Sequence, residues 1–257
     1  MWWTTHGWAT RGSKLQTQLY VDRQQKALTE KVLEALPTLA NRGPTLEWVV
    51  PLHAKDFAEP RDRTMLVELD LSHLAAALRT FWPARGPVWD ALAICRFPDK
   101  TSGVLLAEGK SYPREMYSGG TGAGKAGTAA SLASRRQIEF ATAWAQGRLG
   151  VALDVHRWLD PLDDSKPSSS LYQTANRLTY TVWLQSQHVD TWLCHLLFVD
   201  DPLHHPTTRT RWTKALETAD RELGIDGLEL PFTGHACLDA LDPERELAEL
   251  RPPAKGA

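Results

Sequence analysis

Cysteine is scarce in this chain of 257 residues: Cys95, Cys194 and Cys237 are odd in number, far apart and never arranged as Cys-x-x-Cys. That pattern excludes a disulfide framework and a cysteine-ligated zinc site. Long apolar runs are missing too, and none approaches the roughly 18 residues that a membrane-spanning helix needs. The opening Met1-Trp2-Trp3-Thr4-Thr5-His6 has neither the basic start nor the apolar stretch of a signal peptide. The expectation is a reduced, cytoplasmic protein with no membrane partner. Nor is there an excess of one charge: 29 Lys and Arg stand against 31 Asp and Glu, a formal net charge of -2. This balance rules out a generally polybasic nucleic-acid coat and an acidic tail, so any nucleic-acid site must be a local patch.

What is present is an ordinary globular composition, 42% hydrophobic and 23% charged, sufficient for one substantial core. Eleven tryptophans are scattered without a fixed period, which argues against a solenoid or propeller. They are expected to pack mostly in the core, leaving a few for stacking on a base. Composition predicts a helix over Lys14–Leu39, a strand over Leu46–Val50 and a charged loop over Lys55–Arg63. A second helix follows over Asp70–Phe81, then paired strands Val88–Phe97 and Gly103–Tyr112 around a Pro98–Ser102 turn. Beyond a mobile glycine-rich stretch at Ser118–Gly127 come a helix over Ser131–Arg148, a strand over Val151–Trp158 and a polar loop over Asp160–Ser170. Leu171–Gln187 is helical by spacing, Thr191–Val199 is a buried strand and Thr208–Leu223 is a helix. A short strand near His235–Leu238 and a loose Pro-rich tail end the chain. Helices and strands mingle without a linker, so the reading is one α/β domain.

Chemistry concentrates at Asp90 and at Glu108-Gly109-Lys110. Alternate strand residues share a face, so Val104, Leu106, Glu108 and Lys110 lie together, as do Asp90, Leu92 and Ile94 on the preceding strand. If the strands pair, a carboxylate from each converges beside a lysine. Two carboxylates and a free carbonyl such as that of Gly109 suit a hard divalent cation. Such a cation activates water and stabilises charge on an attacked phosphorus, while Lys110 orients or deprotonates the water or neutralises the developing charge. A glycine inside a strand often marks the close approach of a ligand or another backbone.

Asp90 followed by Glu108-Gly109-Lys110 at the end of an apolar strand resembles the PD-(D/E)XK nuclease superfamily. The resemblance covers about half the chain, from Asp70 to Val199. It implies a restriction-endonuclease-like core: a small mixed β-sheet flanked by helices over residues 70–200. Residues 1–69 are then an N-terminal helical elaboration, and 201–257 a helix, a strand and a tail. By position, Asp90 and Glu108 are the implied magnesium ligands, with manganese a possible substitute, and Lys110 is the implied catalytic lysine. Val88-Trp89 precede Asp90 where the family has Pro-Asp, although Pro87 lies close by. Many members add a Gln from a following helix with a Tyr one turn on. Here Gln173 fits the first place and Arg177 occupies the second, the pair sharing a helical face. Glu68 is a candidate for the family's helix-borne glutamate. Arg135, Arg136, Asn176 and Arg177 are the expected substrate-binding residues, with DNA as the partner and a partner protein or homodimer possible.

Three other readings compete. Gly119-Gly120-Thr121-Gly122-Ala123-Gly124-Lys125 matches the glycine and lysine portion of a phosphate-binding loop, although Ala126 replaces the hydroxyl that should hold magnesium. A P-loop-like nucleotide hydrolase is therefore one alternative. A non-catalytic nucleic-acid or protein binding module of the same fold is another. The third is a solvated Glu-Lys pair on an edge strand, with no catalytic meaning. His204-His205 reads as a surface turn between prolines rather than a zinc site. Arg209, Arg211 and Lys214 around Trp212 read first as an ordinary solvated helix face and second as a basic and aromatic cluster of the kind that suits a phosphate backbone and a stacked base.

Overall fold

The computed structural model describes residues 1–163, 165–166 and 168–251. Ten α-helical segments occur among them: α1 (Gly12–Arg23), α2 (Gln25–Ala35), α3 (Pro37–Ala40), α4 (Asp62–Glu68), α5 (Ala75–Phe81), α6 (Ala129–Leu149), α7 (Val155–Leu159), α8 (Tyr172–Ser186), α9 (Arg209–Leu223) and α10 (Pro243–Glu246). Five strands, β1 (Thr45–Val50), β2 (Ala91–Arg96), β3 (Ser102–Lys110), β4 (Thr191–Val199) and β5 (Thr233–Asp239), form one sheet in sequential order. β2 runs antiparallel to both of its neighbours, β1 and β3, whereas β4 runs parallel to β3 and β5 parallel to β4. The chain is thus α/β with a mixed sheet between helices.

Both faces of the sheet are covered, and alternation along the strands sorts the side chains between them. Leu92, Ile94, Val104, Leu106, Leu193 and Leu197 pack on one face with residues of α6 and α8 such as Ala141, Leu178 and Trp183. Ala93, Cys95, Leu105, Ala107, Leu196 and Phe198 pack on the other with Leu28, Val32 and Leu36 of the N-terminal helices. All nine residues of β4 are buried, which explains why its sequence is mostly apolar, broken only by Thr191 and His195, rather than alternating. Nine of the eleven tryptophans are buried; Trp2 and Trp144 are half-buried. The three cysteines are free thiols. No helix among the described residues is long and apolar enough to cross a membrane.

Several boundaries differ from the sequence reading. The helix expected over Lys14–Leu39 is three helices, interrupted at Gln24 and again at Leu36, where the following proline disfavours helical backbone and then opens α3. The charged stretch near Arg63 is helical from Asp62, and the helix expected from Asp70 begins as a 3₁₀ turn at Ser72–Leu74. The first residues of the expected strand Val88–Phe97 lie outside β2, and β3 ends at Lys110 rather than Tyr112. The strand expected over Val151–Trp158 is instead a loop leading into α7. The Asp154 side chain accepts a hydrogen bond from the Arg157 amide and caps that helix, while Trp158 donates to the Leu223 carbonyl. The tail beyond Arg251, and positions 164 and 167 of the expected Asp160–Ser170 loop, lie outside the described residues.

Candidate active site

The ends of β2 and β3 diverge, and that opening makes the site. Ala91 is the last residue of β2 to face β3, opposite Ala107. The next residue back, Asp90, turns its carboxylate into the vacated pairing position, where Oδ2 accepts the Gly109 N–H at 2.9 Å. The carbonyl of a strand residue leaves on the same side as its N–H, so the Gly109 carbonyl faces the same gap. On β3, Glu108 and Lys110 follow Leu106 on the face covered by α8 and are only 4% and 6% exposed. The Lys110 ammonium donates to Glu108 Oε1 at 2.7 Å and to Gln173 Oε1 at 3.2 Å. Gln173 and Arg177, one turn apart on α8, both reach this point.

Arg177 is the main restraint on Glu108. Its Nε and one terminal nitrogen donate to Glu108 Oε2 at 3.0 and 2.8 Å. The remaining donors go to the Val88 carbonyl at 2.6 Å and to Asn176 Oδ1 at 2.7 Å. The guanidinium carbon stands 5.1 Å from the centre of the Trp89 ring. Glu108 and Arg177 are both buried, so each charge depends on the other for the solvation it has lost.

The two carboxylates are driven apart in acidity. Burial pushes the Glu108 carboxyl upward, but the Arg177 charge, then that of Lys110, reverses this and holds it at about 2. Asp90 is pushed up to about 7, first by loss of water and then by the Glu108 charge; Lys110, Arg177 and the Gly109 amide only partly offset this. Such a pair, one charged and one reluctant to ionise, is what two neighbouring buried carboxylates produce.

These residues line a cleft of roughly 570 Å³. The sequence reading missed several of its walls: Ser13 at the start of α1, Glu59, and the segment Tyr112–Tyr117 that follows β3. None lies in a recognisable motif, since the fold alone brings the α1 N-terminus and the 59 loop to the end of β3. Glu68, expected as a family glutamate, is paired with Lys55 at 2.6 Å and lines no part of the cleft. Glu59 supplies a carboxylate there and is held by Lys14 at 2.9 Å.

The donor set fits a hard divalent ion. Asp90, Glu108 and the Gly109 carbonyl offer oxygen only, and magnesium is commonly held by one or two carboxylates while keeping water and phosphate ligands. Glu108 already accepts three hydrogen bonds, leaving about one of its four lone-pair positions for a metal. Among the described residues no group of three or more His, Cys, Asp or Glu could hold a metal ion. An ion here would therefore have to take most of its shell from water and substrate.

Other expected residues stand elsewhere. Arg135 is engaged with both Asp160 oxygens at 2.7 Å and with Glu139 at 2.6 Å, and Arg136 is exposed; neither lines the cleft. Asn176 is buried and supports Arg177 rather than facing substrate. Trp212 is fully buried, donating to the Phe198 carbonyl, so the basic cluster around it has no ring to stack on a base. The strand-edge reading of Glu108 and Lys110 fails because β3 is central in the sheet and both side chains are covered.

The glycine-rich stretch does not connect a strand to a helix as a phosphate loop does. It follows a 3₁₀ turn at Pro113–Met116, and Ala129 opens α6 only after Gly127. Lys125 donates to the Gly119 carbonyl of its own loop. The amides of Thr121, Ala123 and Gly124 are already bonded to Leu159, Thr121 and Ser131. A phosphate would have to displace these partners.

In comparison with known proteins, the chain matches no family model, no curated protein and no solved structure. The functional reading rests on the site itself.

Proposed function

We propose that the chain is a magnesium-dependent nuclease with a restriction-endonuclease-like core, hydrolysing phosphodiester bonds of nucleic acid, with DNA as the substrate. The observation that carries this reading is the convergence of Asp90, Glu108, Lys110 and Gln173 on one cleft at the diverging ends of β2 and β3. The sheet supports it. A mixed sheet flanked by helices is compatible with the small mixed sheet that the resemblance to PD-(D/E)XK nucleases implies.

Asp90, Glu108 and the Gly109 carbonyl would hold the metal, which when bound supplies a Lewis acid for the phosphoryl oxygen and lowers the pKa of a water. Lys110, fixed between Glu108 and Gln173, presents a cation where negative charge develops on the attacked phosphate. Gln173 accepts from Lys110 through its oxygen, leaving its amide N–H groups to orient a water or a phosphate oxygen. Arg177 is a positioning residue: it keeps Glu108 ionised and aimed.

The test is cleavage of labelled DNA with magnesium or manganese by the parent and by Lys110→Ala, with ATP hydrolysis followed in parallel. Metal-dependent cleavage that falls by about 10²–10³-fold in the variant is the expected result. ATP turnover without cleavage would move the function to Gly119–Lys125. Binding without cleavage in the parent would make the chain a non-catalytic module.

A further inference from the structure

Three features of the cleft describe the form of nucleic acid it accepts. Glu108 and Lys110 lie at its floor, 4% and 6% exposed. Its volume of roughly 570 Å³ falls within the range of about 300–1,000 Å³ usual for a pocket that takes a small ligand.

The charge of the cleft points the same way. Glu59, Asp90, Glu108 and Glu115 face three cations, Lys110, Arg114 and Arg177. Two of those cations are committed to Glu108. Of the three, Arg114, which is exposed, has no side-chain hydrogen bond or ion pair among the described residues. A duplex, with one negative charge per about 1.7 Å, draws its affinity from many neutralised phosphates, which this surface does not offer.

The walls supply a different kind of affinity. Tyr112 and Tyr117 flank Arg114. The Tyr112 ring is backed by His204 and His205, with ring centres 5.0 and 4.6 Å away. Glu115 anchors the segment, accepting the Ser111 amide at 2.7 Å and meeting His204 Nε2 at 3.3 Å. A fixed aromatic ring beside an uncommitted guanidinium is the combination that holds an unpaired strand, by stacking one base and contacting one phosphate.

Resting on the nuclease reading, we infer that the substrate is an unpaired strand, meaning a single strand or the overhang of a duplex, received by Tyr112 and Arg114 rather than along a duplex groove. The closing experiment compares an oligonucleotide as a single strand, as a blunt duplex and as a duplex with an overhang. It uses the full chain with magnesium or manganese and the variants Tyr112→Ala, Tyr112→Phe and Arg114→Ala. Cleavage of the single strand and overhang should exceed that of the blunt duplex by at least about tenfold. Tyr112→Ala should raise KM about tenfold with kcat little changed, and Tyr112→Phe should restore it, since base–aromatic stacking contributes a factor of this order. Equal cleavage of blunt duplex, or an unchanged KM in Tyr112→Ala, overturns the inference and leaves the nuclease reading standing. Fluorescence anisotropy of the labelled single strand and duplex in calcium, with each variant's urea unfolding as a folding control, reads the preference without turnover. Tighter single-strand binding by a parent that cleaves nothing would fail the nuclease reading while supporting this one, and equal or absent binding would overturn it.

Discussion

Asp90 and Glu108 are the same chemical group in neighbouring positions, and their surroundings separate them. The Glu108 charge is held by two cations, whereas Asp90 meets mainly the loss of water and then the field of Glu108. A carboxyl that titrates near 7 in the folded chain and near 4 when unfolded contributes stability below pH 4, and that contribution is lost as pH rises through 7. In metal-free buffer, urea unfolding of Asp90→Asn should therefore show a gain over the parent of about 2 kcal/mol at pH 8, after allowing for partial exposure, and little difference at pH 4. Glu108 has the opposite sign: its contribution is present above the unfolded carboxylate value and is lost as pH falls toward 2. Removing its partner is costly. Arg177→Ala leaves a buried carboxylate with Lys110 alone and should lower unfolding free energy by about 3 kcal/mol at pH 7, with Arg177→Lys recovering part of it. The Glu108 and Lys110 pairing was legible from alternation along an apolar strand. The hold of Arg177 on Glu108 was not, because sequence spacing put it on the right helical face without saying what that face would meet.

Glycine at position 109 belongs to the scale of elements. A glycine in a strand suggested the close approach of a ligand, but what approaches is α1. A Cβ at Gly109 would overlap Thr17 Oγ1 and press on the Phe198 ring. Both lie on the sheet face opposite Glu108. Gly109 thus lets α1 lie close against β3, and α1 in turn brings Ser13 to the cleft. Gly109→Ala should destabilise by about 1–3 kcal/mol in thermal or urea unfolding, and Thr17→Gly in the same chain should recover much of that loss. Elements with one dominant signal, such as β4 and α8, were readable from apolar content and period. Residues 151–158 were not: their β-branched content yielded to a capping aspartate and to the burial of Trp158 against α9.

At the scale of the whole molecule, near-neutral charge limits how the chain can engage a polyanion. The cleft has one uncommitted guanidinium, and Arg135, expected from the sequence to bind substrate, instead joins α6 to Asp160. If substrate phosphate is held mainly by Arg114, the logarithm of the single-strand binding constant should fall against the logarithm of salt with a slope of about -1. Anisotropy titrations at several potassium concentrations measure this. A slope steeper than about -5 would require a broad basic surface in place of the cleft.

By itself the sequence determined the α/β class of the fold, the central strands, the α8 helix and the carboxylate–carboxylate–lysine grouping. Each is written in short-range pattern: period two or 3.6, apolar runs, and residues two or four apart on one element. Tertiary structure alone decided the depth of the site, the pinning of Glu108 by Arg177, the raised Asp90 pKa and the walls made by Ser13, Glu59, Tyr112 and Arg114. These depend on where β2 stops relative to β3 and on which segments pack around their ends. Such distances are set by the packing of both sheet faces, so no local stretch of sequence carries them.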